Sequence, residues 1–446
     1  MFDQAAGVRD VAIDARAGRV FVHSMNGAGP QARLYILDMA TGAQEQTLDL
    51  GRGYATALLA APRSGHVFLA TTATAFGAPA GYVSMFDARR GRFLRAIPVD
   101  TKTNTLGLRL AVDDLHDRVF VARAGLPFGQ HPIGGDVSVL DALTGRVARR
   151  FRVPGMVTAV AVDSRANRVL VVSDGQPQSQ QHAWTIGLFD AASGRLLHSL
   201  PVPLQPDPTS IVVDERAGHA FILGAAYRGA LYVVDTHTGR LVRTIRFGTM
   251  PTALAVDEAK GRVFVALPGP TVKRSAYAAT SVYSGVGFEN WLPSGNGYVR
   301  VLDATTGMVI VKGIPVGVAP VALAVDARRG RVLALNAGAR DEYMLDSGHV
   351  LHLRAPSTAP SSISVLDAAR ARVTRTIGLD TRMAPQSLAL DVASGRAFVA
   401  VDGGVAGVSV ADPLAWLPSV LRRRLPAPRP ATRTVSGSVV IVDTAR

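Results

Sequence analysis

The stretch "LAVDARRGRVLAL" (residues 323–335) contains the repeated pattern from which the fold can be predicted. An apolar run ending in Asp is followed, after three residues, by Gly-Arg and a second aliphatic run. Asp at the start of a turn accepts hydrogen bonds from backbone N–H groups two or three residues on, and Gly adopts the positive φ needed near the end of the turn. The pattern therefore predicts a tight antiparallel hairpin, whose two strands we call runs a and b.

This hairpin pattern returns along the whole chain. The Asp of run a stands at Asp14, Asp113, Asp163, Asp214, Asp257, Asp326 and Asp391, and Ala61 takes its place in an eighth copy. A second pattern of the type "YVRVLDATTG" (298–307) alternates with it and supplies runs c and d, with its Asp at Asp38, Asp87, Asp141, Asp190, Asp235, Asp303, Asp367 and Asp443. Because these Asp residues, and the basic residue five positions after each run-a Asp, recur at hairpin positions, we interpret them as structural rather than catalytic.

Units of four short strands predict an all-β fold. A four-stranded antiparallel sheet repeated in this way is typical of a β-propeller blade, and the copies indicate eight blades, with seven as the alternative. Residues 1–446 are predicted to form a single propeller domain. The last unit ends after run c, so we expect either a closing strand from the N-terminal stretch or a trimmed or incorrect start.

Two kinds of connection separate the repeated Asp residues, and only one of them varies. The step from a run-c Asp to the next run-a position is 22–26 residues, whereas the step from run a to run c is 21–52 residues. The variable part is the b–c connection, with insertions at 267–297, 336–361 and 401–436. Antiparallel strands alternate direction, so all b–c and d–a connections lie at one end of the ring. We predict that this end is the binding face.

The composition shows a strongly basic chain that lacks cysteine. The net charge is +14, and only four of the 48 basic residues are Lys. This excess has two interpretations, codon bias in a GC-rich genome or attraction to anionic polymers, nucleic acid included. The absence of cysteine excludes disulfides and thiolate metal sites. No apolar run approaches the length of a membrane-spanning helix, no signal peptide is visible, and we expect a monomer.

Two insertions contain candidate ligand-binding residues. In the first, Tyr277, Tyr283 and Trp291 suit stacking on a sugar, peptide or base, although the same aromatics can form a small core under a long loop. In the third, Arg422, Arg423 and Arg424 follow a short helix signal that begins at Asp412. They suit an anionic ligand or a membrane surface, and the alternative is a cap on the ring with its arginines in solvent.

The second insertion contains a candidate metal site. Asp341, Asp346, His349 and His352 are residue types that bind divalent cations such as Ca²⁺. If 349–352 is a strand, the two histidines face opposite sides, which favours a solvated loop instead. We predict no resident cofactor and keep calcium as the alternative.

The repeats resemble a known family. The stretches "PTALAVDEAKGRVFVA" (251–266), "YVRVLDATTGMVIVKGIPVG" (298–317) and "APVALAVDARRGRVLAL" (319–335) are similar to the YVTN-type, YncE-like repeats of bacterial and archaeal surface and periplasmic β-propellers. The resemblance covers almost the whole chain, although the tetrapeptide YVTN itself does not occur. It implies an exported or surface-attached binding protein, and therefore an extracytoplasmic location.

These observations favour a non-catalytic propeller that binds a protein, glycan or anionic polymer through its variable face. The alternative is an enzyme with a site in the central funnel, either a lactonase-like hydrolase or a quinoprotein dehydrogenase-like protein. A third interpretation is a structural module of a surface layer. The d–a connections are nearly devoid of acidic residues, Asp207 excepted, which counts against a metal-centred funnel.

Overall fold

The regular structure of the chain is β throughout its described part. The computed structural model describes residues 8–25, 31–72, 81–100, 105–125, 134–174, 184–202, 208–224, 229–276, 288–339, 342–346, 349–353, 359–379, 385–401, 404–406, 433–435 and 438–444. Within these ranges there is no helix with the length and hydrophobicity needed to cross a membrane.

The first four sheets each contain four strands that follow one another in the chain. Blade 1 consists of β1 (Val8–Asp14), β2 (Arg19–Met25), β3 (Gln31–Asp38) and β4 (Gln44–Arg52). Blade 2 consists of β5 (Tyr54–Ala61), β6 (His66–Thr72), β7 (Gly81–Asp87) and β8 (Arg92–Asp100). Blade 3 consists of β9 (Thr105–Asp113), β10 (Arg118–Gly125), β11 (Gly135–Asp141) and β12 (Val147–Val153). Blade 4 consists of β13 (Met156–Asp163), β14 (Arg168–Asp174), β15 (Trp184–Asp190) and β16 (Leu196–Val202).

The next four sheets repeat this plan, and three of them carry an additional hairpin. Blade 5 consists of β17 (Pro208–Asp214), β18 (His219–Gly224), β19 (Ala230–Asp235) and β20 (Leu241–Arg246). Blade 6 consists of β21 (Ala253–Asp257), β22 (Arg262–Leu267), β25 (Asn296–Asp303) and β26 (Val309–Val318), with the hairpin β23 (Thr271–Ala276) and β24 (Phe288–Pro293). Blade 7 consists of β27 (Pro320–Asp326), β28 (Arg331–Asn336), β31 (Ser362–Asp367) and β32 (Arg372–Gly378), with the hairpin β29 (Glu342–Asp346) and β30 (His349–Leu353). Blade 8 consists of β33 (Pro385–Asp391), β34 (Arg396–Val401) and β37 (Ser438–Asp443), with the pair β35 (Gly404–Ala406) and β36 (Arg433–Val435).

The eight sheets close into a ring, so the prediction of eight blades is confirmed. The first strand of each blade contacts the first strand of the next, and β33 of blade 8 contacts β1 of blade 1. Seven sheets have four strands, and blade 8 has three among the described residues. Because each Asp of run a pairs directly with the basic residue of run b, as Asp326 does with Arg331, the hairpin register is the one that the repeat predicts.

The hydrophobic core lies between blades rather than within them. Eight buried clusters are present, one at each junction of neighbouring sheets. The cluster that closes the ring packs Val20, Val22 and Tyr35 of blade 1 against Phe398 and Ala400 of blade 8. Each sheet is therefore covered on both faces, which explains why its second and third strands are nearly continuous apolar runs.

The repeated Asp residues are turn residues, as the sequence predicts. Asp326 is fully buried, and its Oδ1 accepts the backbone N–H of Arg329 at 3.1 Å. Asp367 accepts the backbone N–H and a guanidinium N–H of Arg370, both at 2.9 Å, and these bonds lower the pKa of its carboxyl to about 2. The stability that Asp367 contributes is therefore present above the pKa of the unfolded chain and is lost as the pH falls toward about 2.

The basic residue of run b joins most blades to the next one. Its side-chain nitrogen donates to a backbone carbonyl after run c of the following blade: Arg19 to Ala88 (3.2 Å), His66 to Ala142 (2.8 Å), His219 to Ala304 (2.9 Å), Arg262 to Ala368, Arg331 to Thr444, and Arg396 to Met39 (3.3 Å). A second set of arginines on fourth strands does the same, for example Arg95 to the Thr144 carbonyl at 2.8 Å. Many of the basic residues therefore have a structural position between blades.

Candidate binding face

Three consecutive blades carry additional structure at one end of the ring. We call this end, which holds the b–c and d–a connections, the loop face, and the opposite end, which holds the a–b and c–d turns, the turn face. The hairpin β23–β24, the hairpin β29–β30 and the pair β35–β36 all lie in b–c connections, those of blades 6, 7 and 8. Strand β23 also contacts strand β30, so the first two hairpins form a continuous elaboration of one sector of the loop face.

The insertions are slightly shorter than the sequence indicates. Strand pairing continues to Leu267 with Tyr298, to Asn336 with Ser362, and to Val401 with Ser438. The first residue of each predicted insertion therefore belongs to a blade strand, and so does Gly297 at the far end of the first insertion. Leu267, Asn336 and Val401 each extend the ladder by one pair beyond the repeated motif, which the spacing of Asp residues alone does not show.

The predicted ligand-binding residues lie mostly outside the described part of the chain. Those outside it are Tyr277, Tyr283, Arg422, Arg423 and Arg424. Trp291 lies in β24, where it pairs with Lys273. The ligand-binding assignment of these six residues remains a prediction.

The predicted metal ligands lie in or beside the second hairpin. Asp346 of β29 pairs with His349 of β30, and Tyr343 pairs with His352. His349 and His352 are three positions apart in a strand. Positions an odd number of residues apart in a strand lie on opposite faces, which argues against a shared ligand set. Asp341 lies outside the described residues, and the described ranges hold no group of three or more His, Asp or Glu suited to a metal ion.

Two exposed apolar residues lie on the loop face, and the sequence pattern did not indicate them as binding candidates. Tyr54 begins β5 and is 47% exposed, and Met250 lies in the d–a connection of blades 5 and 6 and is 48% exposed. Exposed aromatic and Met side chains are enriched in protein interfaces. In the sequence, these two residues are distinguished only as large apolar residues within the Gly- and Thr-containing connections "GRGYAT" and "FGTMPT".

The inner edge of the loop face is joined by hydrogen bonds between first strands. Thr56 Oγ1 accepts the N–H of Leu108 at 3.2 Å, and Thr252 Oγ1 donates to the carbonyl of Pro320 at 2.6 Å. Arg109 donates from Nε to the carbonyl of the next blade's Thr158 at 3.1 Å. Several of these strands have a β-bulge close to this point, which redirects side chains toward the neighbouring blade. These polar groups stabilise the ring rather than converge on one reacting atom.

Asp10 is an acidic residue at this inner edge, and a hydrogen bond from blade 8 reaches it across the ring closure. Its Oδ1 accepts the backbone N–H of Val11 at 2.9 Å and the hydroxyl of Ser387, in blade 8, at 3.3 Å. Burial raises the pKa of the Asp10 carboxyl and outweighs these hydrogen bonds, which lower it. A carboxyl whose pKa is raised on folding stabilises the protein below the pKa of the unfolded chain, and this contribution is lost as the pH rises through the folded pKa.

Asp10→Asn should therefore stabilise the protein at pH 7 and have a smaller effect at pH 4. The amide oxygen keeps the acceptor for Val11 and Ser387 but carries no charge to bury. Urea unfolding of both proteins at the two pH values measures the difference. The quantity compared is the free energy of unfolding of the mutant minus that of the wild type. If this difference were lower at pH 7 than at pH 4, burial would not dominate at this carboxyl.

The closed ring of four-stranded units defines the class of protein, an eight-bladed β-propeller with an elaborated loop face. The sequence model of the family described as outer membrane protein assembly factor BamB matches residues 79–337, more than half of the chain. The protein therefore belongs to this family. No curated protein matches the sequence.

Solved structures share the fold at low identity. The computationally designed Ika8 protein superposes with a TM-score of 0.57 and 18% identity, over 90% of this chain and 94% of that chain. A europium-containing methanol dehydrogenase gives 0.56 and 14%, over 95% and 89%, and the dihydro-heme d1 dehydrogenase NirN in complex with DHE gives 0.55 and 13%, over 90% and 71%. At these identities the likeness extends to the fold alone.

Proposed function

We propose that this protein is a non-catalytic interaction propeller of the cell envelope, which binds a partner protein through its loop face. The observation that carries the proposal is the placement of three b–c insertions on consecutive blades, two of them in mutual contact. Repeat proteins commonly bind through loops that vary on one face of a constant scaffold. A glycan or an anionic polymer is the alternative occupant of the same face.

Two further observations support this function. The family match is to a protein described as an assembly factor of the outer membrane, a role that requires contacts with other proteins. The resemblance of the repeats to the YVTN type also supports this function, because it implies an exported or surface-attached binding protein. Both observations support an extracytoplasmic location. The two dehydrogenases share only the fold with this chain, at 13% and 14% identity, so their activities do not support a catalytic site in the funnel here. We therefore do not propose an enzyme.

The loop face also has apolar residues suited to a protein contact. Tyr54 and Met250 are about half exposed at its d–a connections. The turn face provides matched controls, because Leu115 and Leu143 are 50% and 53% exposed in a–b and c–d turns. A partner on the loop face covers the first pair and leaves the second pair free.

Site-specific photo-crosslinking in intact cells tests the proposed face. We expect a crosslinking amino acid at Tyr54, Met250 or Thr271 to give discrete products with an envelope protein. The same group at Leu115 or Leu143 should give none. Products from the turn face only, or from neither face, would contradict the proposal, and products that contain glycan alone would favour the alternative occupant.

Excision of the first hairpin separates folding from binding. The Pro270 carbonyl accepts the N–H of Ser294 at 2.8 Å, so two glycines in place of residues 271–293 can close the connection as a short hairpin. We expect the melting temperature to change little, because β22 and β25 pair independently of the insertion. We expect the crosslink from Met250 to weaken or disappear. An unchanged crosslink would place the partner elsewhere on the loop face.

A further inference from the structure

The turn face has a cavity where the first and last blades meet. Its volume is about 370 Å³, and it lies at the a–b turns of blades 8 and 1. Its walls are formed by Ile13, Ala15, Pro62, Leu390, Val392 and Ala393, together with Arg16, Arg328 and Asp391. The cavity is at the opposite end of the ring from the loop face and is independent of the function proposed for that face.

Elsewhere on the turn face, several neighbouring a–b turns are joined by direct hydrogen bonds. The N–H of Arg63 donates to Asp114 Oδ1 at 3.1 Å, and the N–H of Ser164 donates to Glu215 Oε1 at 2.9 Å. Between the turns of blades 8 and 1 the cavity occupies the corresponding space. The ring therefore has an open, mainly apolar recess at its closure, with arginines contributed by blades 1 and 7.

The carboxylate of the cavity is already engaged by its own turn. Asp391 Oδ1 accepts the N–H of Ala393 at 3.0 Å, and Oδ2 accepts the N–H and the hydroxyl of Ser394. These bonds lower the pKa of Asp391 although burial opposes them, and the nearby Arg328 contributes to the lowering. Asp391 is therefore ionised at neutral pH, and its oxygens are occupied by donors other than the two arginines.

The two guanidinium groups have donors to spare. Arg16 donates from Nη1 to the Pro62 carbonyl at 3.4 Å, a long hydrogen bond. Arg328 attracts Asp391 through space, and no hydrogen bond joins its guanidinium to another described residue. With two arginines and one carboxylate, the cavity has a net positive charge of one.

We propose that this cavity binds a small organic monocarboxylate with an apolar body. Guanidinium groups bind carboxylates through paired, charge-assisted hydrogen bonds, and one bound carboxylate neutralises the excess charge. The six aliphatic or proline residues of the wall suit a hydrocarbon chain better than a fully hydrated anion such as phosphate. The volume is at the lower end of the range for small-molecule sites, which limits the ligand to a short chain.

Calorimetric titration with hexanoate tests the site in the full-length protein. We expect saturable binding with one site per chain, which Arg16→Gln and Arg328→Gln each weaken about tenfold or more, as expected for the loss of a charge-assisted hydrogen-bonding partner. Arg216→Gln is the matched control, because Arg216 occupies the same turn position in blade 5 as Arg16 does in blade 1. In both turns the backbone N–H donates to the run-a Asp at 3.0 Å. This control should change the affinity less than about twofold.

Probe chemistry separates the proposed site from general anion binding. Hexanamide, which lacks the charge, and inorganic phosphate, which lacks the apolar chain, should each bind at least about tenfold more weakly than hexanoate. Equal loss of affinity in Arg216→Gln and Arg16→Gln, equal binding of phosphate and hexanoate, or no saturable binding of hexanoate would each overturn the proposal. Melting temperatures of the three variants within a few degrees of wild type establish that the ring is intact.

Discussion

Phe264→Ala should lower the free energy of unfolding by about 3–5 kcal/mol, the range for removing a fully buried phenylalanine from a packed core. Phe264 has no exposed surface and lies in the cluster between blades 6 and 7, where it packs with Val332 and Leu366. Phe occupies the same third position of the second strand in six blades, and Leu170 and Leu333 occupy it in the other two. The position therefore fills the space between neighbouring sheets throughout the ring.

Denaturant unfolding of Phe264→Ala measures this loss, and Phe93→Ala provides the control. Phe93 is 48% exposed on the outer strand β8, so the same chemical change there should cost less than about 1 kcal/mol. Similar losses in the two variants would mean that burial between blades is not what stabilises the ring.

Arg118→Met should cost about 2–4 kcal/mol, because it removes one partner of a buried ion pair while methionine keeps the apolar stem. Arg118 donates from Nε to Asp113 Oδ2 at 3.0 Å and from Nη2 to the same oxygen and to Asn167 Oδ1 of blade 4 at 2.6 Å. Asp113 is fully buried. The substitution leaves His116 as a remaining side-chain partner of this carboxylate, at 3.0 Å, so the expected cost is below that of a fully unpaired charge.

A double-mutant cycle identifies the pair as the source of the effect. In an Asp113→Asn background, Arg118→Met should cost at least about 1 kcal/mol less than in the wild type, because no buried charge is left behind. Arg372→Met, at an exposed arginine of β32, should change stability by less than about 0.5 kcal/mol. An additive cycle would show that Arg118 stabilises the protein only through its contact with Asn167.

Much of the fold follows from the repeat alone. The alternation of two Asp-containing patterns predicts the hairpins, the number of blades and the end of the ring that carries the variable connections. These features are local, since each hairpin is specified by an Asp, a Gly and the flanking apolar runs within about 15 residues. The same reasoning correctly assigns Asp326 and Asp367 to turns, where both accept backbone N–H groups.

The candidate sites were much less accessible from the sequence. The aromatic, basic and metal-ligand assignments rested on insertions, where no repeat specifies the position of a side chain. Tyr54 and Met250, by contrast, lie in short connections whose composition is ordinary, and only the fold shows them exposed on the loop face. The sequence also did not predict that Arg396 joins the last blade to the first, because the Met39 carbonyl to which it donates is 357 residues away in the sequence.

The repeated sequence pattern specifies the blade, its turns and the number of copies, because hydrogen bonding within a hairpin depends on residues a few positions apart. How one blade meets the next is visible only in the folded ring. The arginine bonds to neighbouring carbonyls, the interblade position of Phe264 and the recess between Arg16 and Arg328 all join residues of different units. Such contacts depend on the twist and packing of whole sheets, which a pattern read along one strand does not contain.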